Sequence, residues 1–153
     1  IGGGGLISGV ALAIKAVKPS VKIIGVQAVG ASATYQKFTG QKLKTPHAVY
    51  TIADGILVKE PGVITYPIIE KYVDEIVTVT DEEIAHAIMF MLEREKMLVE
   101  GAGAAGLAAI LYKKVEVDGK KVGCIISGGN VDPVQIPTYK EISNRTMKLY
   151  YTG

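Results

Sequence analysis

The sequence contains a single cysteine, no long apolar run and no basic stretch interleaved with aromatic side chains. One cysteine, Cys124, excludes an internal disulfide and suits a reducing compartment, so we expect a cytoplasmic protein. No apolar run approaches the length of a membrane span, and the first residues lack the basic region and cleavage site of a signal peptide. These absences argue against a secreted or membrane-embedded protein.

The charge balance also gives little support to nucleic acid or a membrane surface as a partner. Seventeen basic residues against fifteen acidic ones leave a net charge of +2, and the lysines are scattered along the chain. A chain of 153 residues that is 48% hydrophobic can bury a core of its own. We therefore expect one globular domain whose partners are small molecules.

Helical and strand patterns alternate along most of the chain. They predict a helix at residues 6–17, a strand at 21–27, a helix at 31–41, an extended loop at 42–55 and a helix interrupted or started at Pro67. A strand at 75–80, helices at 81–96 and 99–114, and a strand at 120–126 that ends in a glycine turn follow. Thr80 and Glu83 have the spacing of a capping box. This order predicts an α/β fold with an open, largely parallel sheet and helices on both faces.

The run Gly2, Gly3, Gly4 and Gly5 opens the first apolar helix. Each glycine costs up to about 1 kcal/mol of helix stability, so such a run needs a compensating reason. Successive backbone N–H groups at the positive end of a helix form an anion cradle, and the pattern fits a mononucleotide or a cofactor with a single phosphate better than a dinucleotide. The alternative is a close crossing of helix and strand.

Two further features lie where a ligand crevice is expected. The turn "SGGN" at residues 127–130 follows a predicted strand, and ligands of open parallel sheets bind at that edge. Ser127 would point its hydroxyl into the crevice, although an ordinary strand-end turn has the same composition. Glu100 is flanked by apolar residues and glycine, so it is either a polar group of the same crevice or a surface helix cap.

Five segments in order carry a family resemblance: "GGGGLISG" (2–9), "TIADG" (51–55), "VTVTDEEI" (77–84), "VEGAGAAGLAA" (99–109) and "IISGGNVD" (125–132). Together they resemble the second half of threonine dehydratases and serine racemases, pyridoxal-phosphate enzymes of the tryptophan synthase β-like fold. The resemblance implies that residues 1–132 are part of the large pyridoxal-phosphate-binding domain. Residues 133–153 match no family segment and form a tail without a predicted element.

The resemblance implies a cofactor role for eight residues: the phosphate for Gly2, Gly3, Gly4, Gly5 and Leu6, the ring for Gly55, the pyridine nitrogen for Ser127, and a supporting position for Glu100. The implied reaction is elimination of the β-hydroxyl of threonine or serine, which yields a 2-oxo acid and ammonia. A hydroxyl on the pyridine nitrogen does not force it to stay protonated, so the ring is a milder electron sink.

The lysine that forms the Schiff base in this family lies in a Ser-Phe-Lys-like motif with no match here, so no catalytic residue is assigned. Lys15 lies about three helical turns from the glycines, too far to substitute. We expect the missing motif in an N-terminal half upstream of Ile1. Two other readings stay open: a non-catalytic phosphate-ligand or regulatory module, and a fragment that folds only with its other half or as a homo-oligomer.

A divalent metal site is not expected. Relatives that bind a cation after the first strand use a glutamate, a backbone carbonyl and an aspartate, but the matching positions here are Gln27, Ala31 and Ala33. Two anionic oxygen ligands are thus absent. His47 and His86 have no partners at ligand spacing and read as ordinary surface or helix histidines.

Overall fold

A computed structural model describes residues 1–43 and 49–151, and their side chains as far as residue 145. The elements in these ranges are α1 (Gly5–Val17), β1 (Ile24–Ala28), α2 (Ala33–Thr39), α3 (Tyr66–Tyr72), β2 (Glu75–Val79), α4 (Asp81–Phe90), α5 (Gly101–Leu111) and α6 (Ile136–Tyr151). Short 3-10 turns lie at Val29–Ala31, Asp54–Ile56 and Pro133–Gln135, and one π-helical turn at Met91–Glu95 continues α4.

The two strands pair in parallel, with Val26 opposite Val77. Side chains of a strand alternate between its faces, so β2 contributes to two cores. Ile76 joins the core formed with α1 and α3, whereas Val77 and Val79 face the core formed with α4 and α5. The prediction of a parallel sheet with helices on both faces is confirmed.

The capping box predicts the start of α4 correctly. The Glu83 N–H donates to the Thr80 hydroxyl at 3.3 Å, and the Glu83 carboxylate accepts from the Thr80 N–H at 2.9 Å. That buried carboxylate also pairs with Lys114, just beyond the end of α5, at 2.8 Å. Thr80 and Glu83 thus satisfy each other's backbone N–H groups, and the same glutamate ties the end of α5 to α4.

The predicted strand at residues 120–126 is wrong: from residue 121 the segment is extended, but it does not join the two-stranded sheet of the described ranges. An extended segment becomes a strand only when a neighbour accepts its backbone hydrogen bonds. Residues 124–127 lie instead along the small residues of α5. A β-carbon on Gly106 would be 3.1 Å from the Cys124 sulfur, and one on Gly103 would overlap the Ser127 carbonyl.

The tail that the sequence left without an element forms α6. Tyr139 packs on the core beside α4, Ser143 is buried, and Lys140 pairs with Glu93 at 3.0 Å. The helix is polar on average but has one apolar face, so the tail does carry a helical period, which the interpretation of the sequence missed. Throughout the described ranges, every helix is too short or too polar to cross a bilayer.

Replacing the capping threonine tests the start of α4. Thr80→Ala removes the acceptor for the Glu83 N–H and should lower the free energy of unfolding by about 1 kcal/mol, whereas Thr80→Ser keeps the hydroxyl and most of the stability. Urea denaturation followed by circular dichroism measures both. Equal stability of the two variants would show that the cap contributes nothing.

Candidate functional site

The glycine loop lies at the N-terminus of α1 and is packed tightly on two of its residues. Gly4 is the N-cap and has a left-handed backbone, with φ of 86°. A β-carbon there would lie 2.7 Å from the Thr65 hydroxyl, and one on Gly2 would lie 3.3 Å from the Gly55 carbonyl oxygen. Close approach of the 55–56 backbone requires glycine at position 2, whereas the left-handed backbone and the nearby Thr65 side chain require it at position 4.

The other two glycines of the loop face open space. A β-carbon on Gly3 or on Gly5 would meet no atom within 4 Å. The helix that follows has no side-chain cap and no acidic residue in its first turn, and Leu6 is 60% exposed. Its first N–H groups therefore present the positive end of a helix to the surroundings without a protein acceptor in the described ranges.

Gly55 connects this loop to Glu100. It lies in the 3-10 turn Asp54–Ile56, where its N–H donates to the Asp54 carboxylate at 2.8 Å. A β-carbon on Gly55 would be 3.2 Å from Oε1 of Glu100 and 3.0 Å from the β-carbon of Ala102. The backbone of Gly55 thus lies between the glycine loop and the N-terminus of α5.

Glu100 connects Gly55 in turn to the second glycine turn. Its N–H donates to the Gly128 carbonyl at 3.2 Å, and its Oε2 accepts the Asn130 N–H at 3.2 Å. Gly128 has φ of 77°, and a β-carbon there would overlap the carboxylate. Glu100 occupies the N-cap position of α5, yet its side chain holds the turn at 128–130 rather than capping the helix.

Ser127 lies immediately before that turn and is half-buried. Its carbonyl packs on Gly103 of α5, where any side chain would collide. Its hydroxyl has no hydrogen-bond partner within the part of the chain that the structure describes. The structure therefore brings the glycine loop, Gly55, Glu100 and the turn after Ser127 into one continuous region, although the residues come from distant parts of the sequence.

A cavity of about 540 Å³ adjoins Glu100 and was not indicated by the sequence. Asp54, Asp132 and Tyr139 line it, and Tyr139 comes from α6. Burial, followed by the negative charges of the carboxylates around it, raises the pKa of the Tyr139 hydroxyl. Part of its lining comes from α6 and the turn before it, for which no element was predicted, and the rest from the segments around Asp54, Glu100 and Asn130.

Lys15, the lysine nearest to the glycine loop in sequence, is engaged elsewhere. Its ammonium lies 2.7 Å from the Asp74 carboxylate and donates to the Val21 carbonyl at 2.8 Å. The hydrogen bond to the Ile23 N–H, with help from Lys15, holds the pKa of Asp74 below its usual range. Lys15 therefore anchors the end of α1 near the start of β2.

No group of three or more histidine, cysteine or carboxylate side chains suits a metal ion within residues 1–43 and 49–145. Gln27, at the position matching a metal ligand in relatives, is buried with both ends of its amide hydrogen-bonded to backbone. His86 shares a 2.6 Å hydrogen bond with the Tyr112 hydroxyl, and burial lowers its pKa. His47 lies outside the described residues.

Comparison with known proteins identifies the family. Residues 1–128 match the sequence profile of the family described as "Pyridoxal-phosphate dependent enzyme". The chain belongs to this family. The resemblance noted in the sequence is therefore confirmed, and the family implies pyridoxal phosphate as cofactor.

Family members of known name resemble the chain over most of its length. It is 51% identical over 132 residues to an L-threonine ammonia-lyase of Thermotoga maritima and 55% identical over 134 residues to one of Geobacter sulfurreducens. Each match covers 86% of this chain but 33% of the relative. The chain thus spans about a third of the length of these relatives.

Solved structures confirm the expected fold. Maize serine racemase superposes with a TM-score of 0.79 at 38% identity, covering 95% of this chain and 46% of that one. A threonine deaminase of Solanum lycopersicum gives 0.80 at 30% identity, covering 95% of this chain and 40% of that one. The family fold is the tryptophan synthase β-like fold expected from the sequence, of which this chain forms a part.

The contact between Gly128 and Glu100 can be tested with a matched pair. Gly128→Ala and Gly119→Ala both place alanine at a left-handed position, but only the first adds a collision, because Gly119 faces open space. Gly119→Ala should cost about 1 kcal/mol and Gly128→Ala clearly more, because the Glu100 carboxylate must also move. Thermal unfolding measures the difference, and equal losses would show that the carboxylate moves freely.

Proposed function

We propose that this chain supplies the phosphate- and pyridine-binding part of an ammonia-lyase site that converts threonine or serine to a 2-oxo acid and ammonia. The observation that carries the proposal is at Gly4. Gly4 is buried, yet its N–H meets no acceptor within the described residues. A buried donor without a partner is costly, and a bound phosphate oxygen would satisfy it.

The glycine loop fits a phosphate in charge and in space. The open positions at Gly3 and Gly5 leave room for an anion against the backbone, and α1 directs its positive end to the same place. No aspartate or glutamate in the first turn competes for those N–H groups. We assign the phosphate of pyridoxal phosphate to Gly2, Gly3, Gly4, Gly5 and Leu6.

The other assigned residues lie on the continuation of the same region. Gly55 would lie against the ring because it carries no side chain between the glycine loop and Glu100. Ser127 would accept or donate a hydrogen bond at the pyridine nitrogen, since its hydroxyl has no other partner among described residues. Glu100 would act indirectly, because its carboxylate holds the Asn130 N–H and keeps the 128–130 turn beside Ser127.

When bound, pyridoxal phosphate supplies an electron sink for the negative charge that develops at the substrate α-carbon. The contribution of Ser127 is to leave the pyridine nitrogen free of a forced positive charge, because a hydroxyl, unlike a carboxylate, does not hold a proton there. A ring without that fixed charge would withdraw electrons more weakly, which would favour loss of the substrate β-hydroxyl. The names of the relatives, L-threonine ammonia-lyase above all, support this reaction class.

Assembly, location and domain limits are part of the same proposal. We take residues 1–132 as the cofactor-binding part and 133–153 as a tail outside it. Val122 and Ile125 are each about half exposed on the extended segment, which supports burial against a missing N-terminal half or in a homo-oligomer. The single cysteine supports a cytoplasmic location.

A non-catalytic binding module is the second candidate. The observation that favours it is the engagement of Lys15 with Asp74, which leaves the lysine nearest to the loop in sequence unable to approach a cofactor there. Such a module would bind pyridoxal phosphate through the same glycines without forming a covalent bond to it.

Gly5→Asp tests the phosphate cradle. The new carboxylate repels a phosphate dianion while favouring the start of α1, so binding of pyridoxal phosphate should weaken about tenfold without loss of thermal stability. Gly9→Asp is the matched control, because Gly9 lies one turn further along α1 and also faces open space. Fluorescence titration of the 153-residue chain measures both. Equal weakening by the two variants would contradict a phosphate at the loop.

The reaction is tested in a chimera that replaces the matched segment of the Thermotoga maritima relative with residues 1–132. Formation of the 2-oxo acid from L-threonine is expected, and Ser127→Ala should lower kcat about tenfold because one hydrogen bond to the cofactor is lost. Ser20→Ala, at an exposed turn, should change nothing. A chimera that folds and binds the cofactor but has no turnover would favour the binding module.

A further inference from the structure

We infer that Gln27 and Thr65 are positioning residues that hold the glycine loop in the shape that binds phosphate. The inference rests on the proposed function and goes beyond it, because neither side chain belongs to the loop or to the segments that carry the family resemblance. Both reach the loop from other elements, and each holds one of its carbonyl groups.

Gln27 holds the start of the loop from β1. Its side chain is almost fully buried, at 1% exposure. Nε2 donates to the Ile1 carbonyl at 3.1 Å, and Oε1 accepts the Tyr35 N–H at 2.7 Å. Because Tyr35 lies in α2, the amide connects the residue before the glycines to a strand and to a helix.

Thr65 holds the middle of the loop from the start of α3. Its hydroxyl donates to the Gly3 carbonyl at 2.5 Å, and its own carbonyl accepts the Ser8 hydroxyl at 3.3 Å. A β-carbon on Gly4 or on Gly62 would collide with the Thr65 hydroxyl. The threonine is therefore enclosed by glycines on both sides, and its position is set by packing.

The two held carbonyls orient two N–H groups of the loop. A trans peptide unit is planar, so its N–H points opposite to its C=O, and no cis peptide occurs in the described chain. Fixing the Ile1 carbonyl orients the Gly2 N–H, and fixing the Gly3 carbonyl orients the Gly4 N–H. Neither N–H has an acceptor among the described residues.

Four glycines in a row need such restraints more than any other sequence. Glycine has the largest backbone freedom, so an unrestrained loop would lose the most entropy when it closes on an anion. A loop that is held in its binding conformation before the anion arrives loses less entropy, and this preorganisation lowers the dissociation constant. The side chains that restrain the loop thus contribute to phosphate affinity without touching the phosphate.

The first test compares pyridoxal phosphate with pyridoxal. The dissociation constant of pyridoxal divided by that of pyridoxal phosphate isolates the contribution of the phosphate. Thr65→Val should reduce this ratio about fivefold in the 153-residue chain, and Thr65→Ser should restore it. Thr39→Val is the control, since the Thr39 hydroxyl also donates to a backbone carbonyl, that of Tyr35, away from the loop. A merely structural role would weaken both ligands equally.

The second test uses pH within one variant. In Gln27→Glu an ionised carboxylate still accepts the Tyr35 N–H but cannot donate to the Ile1 carbonyl. Burial raises the pKa of such a carboxyl, whereas the α-ammonium of Ile1, which donates to the neighbouring Val26 carbonyl and whose own pKa burial lowers to about 6, acts against that rise. At pH 8 the preference of the variant for pyridoxal phosphate over pyridoxal should be low. As the pH falls and the carboxyl is protonated, the preference should approach that of the unmodified chain measured at each pH. Gln36→Glu is the control, because the Gln36 amide bonds Ser32 before α2 and Leu43 after it, and its ratio should equal that of the unmodified chain at every pH.

The outcomes separate the inference from the proposed function. An unmodified chain that binds pyridoxal phosphate no better than pyridoxal would overturn the proposed function and the inference together. A strong phosphate preference that survives both Thr65→Val and Gln27→Glu would overturn the inference alone. Circular dichroism identifies a variant that fails to fold, and the decision then rests on the other position.

Discussion

The carboxylate of Glu100 lies where three separate loops meet, and the candidate site depends on that meeting. It touches the backbone of Gly55 on one side and that of Gly128 on the other, and it accepts the Asn130 N–H. A carboxylate can be approached this closely from both sides only if the neighbours have no side chains. Because Gly55 also packs against Gly2, the turn after Ser127 and the glycine loop lie in one region of the fold.

The second requirement is a backbone that is free of side chains and yet well defined. The glycine loop leaves open space at Gly3 and Gly5, while Gly2 and Gly4 are packed against neighbouring elements. Side chains from β1 and α3 hold its carbonyls. Room for an anion and restraint of the loop thus come from different residues, so the loop can have open space beside it and still keep one conformation.

Local patterns were enough for most of the fold and for the family. A segment that is apolar almost all round predicted α1, the β-branched runs predicted β1 and β2, and Thr80 with Glu83 marked the start of α4 to the residue. The motif set named the family, which the profile match confirms. These features depend on residues that are close together in the sequence, so the amino-acid sequence alone is enough to predict them.

The sequence by itself determined the α/β order, the family and the glycines at which a ligand is expected, because each is encoded over a few adjacent residues. Tertiary structure alone decided that residues 124–127 lie extended beside α5 instead of joining the sheet, and that α6 packs beside α4 and contributes Tyr139 to a cavity next to Glu100. It also decided that Gln27 and Thr65 hold the loop. Strand pairing, helix docking and hydrogen bonds between distant residues depend on partners that no local pattern specifies.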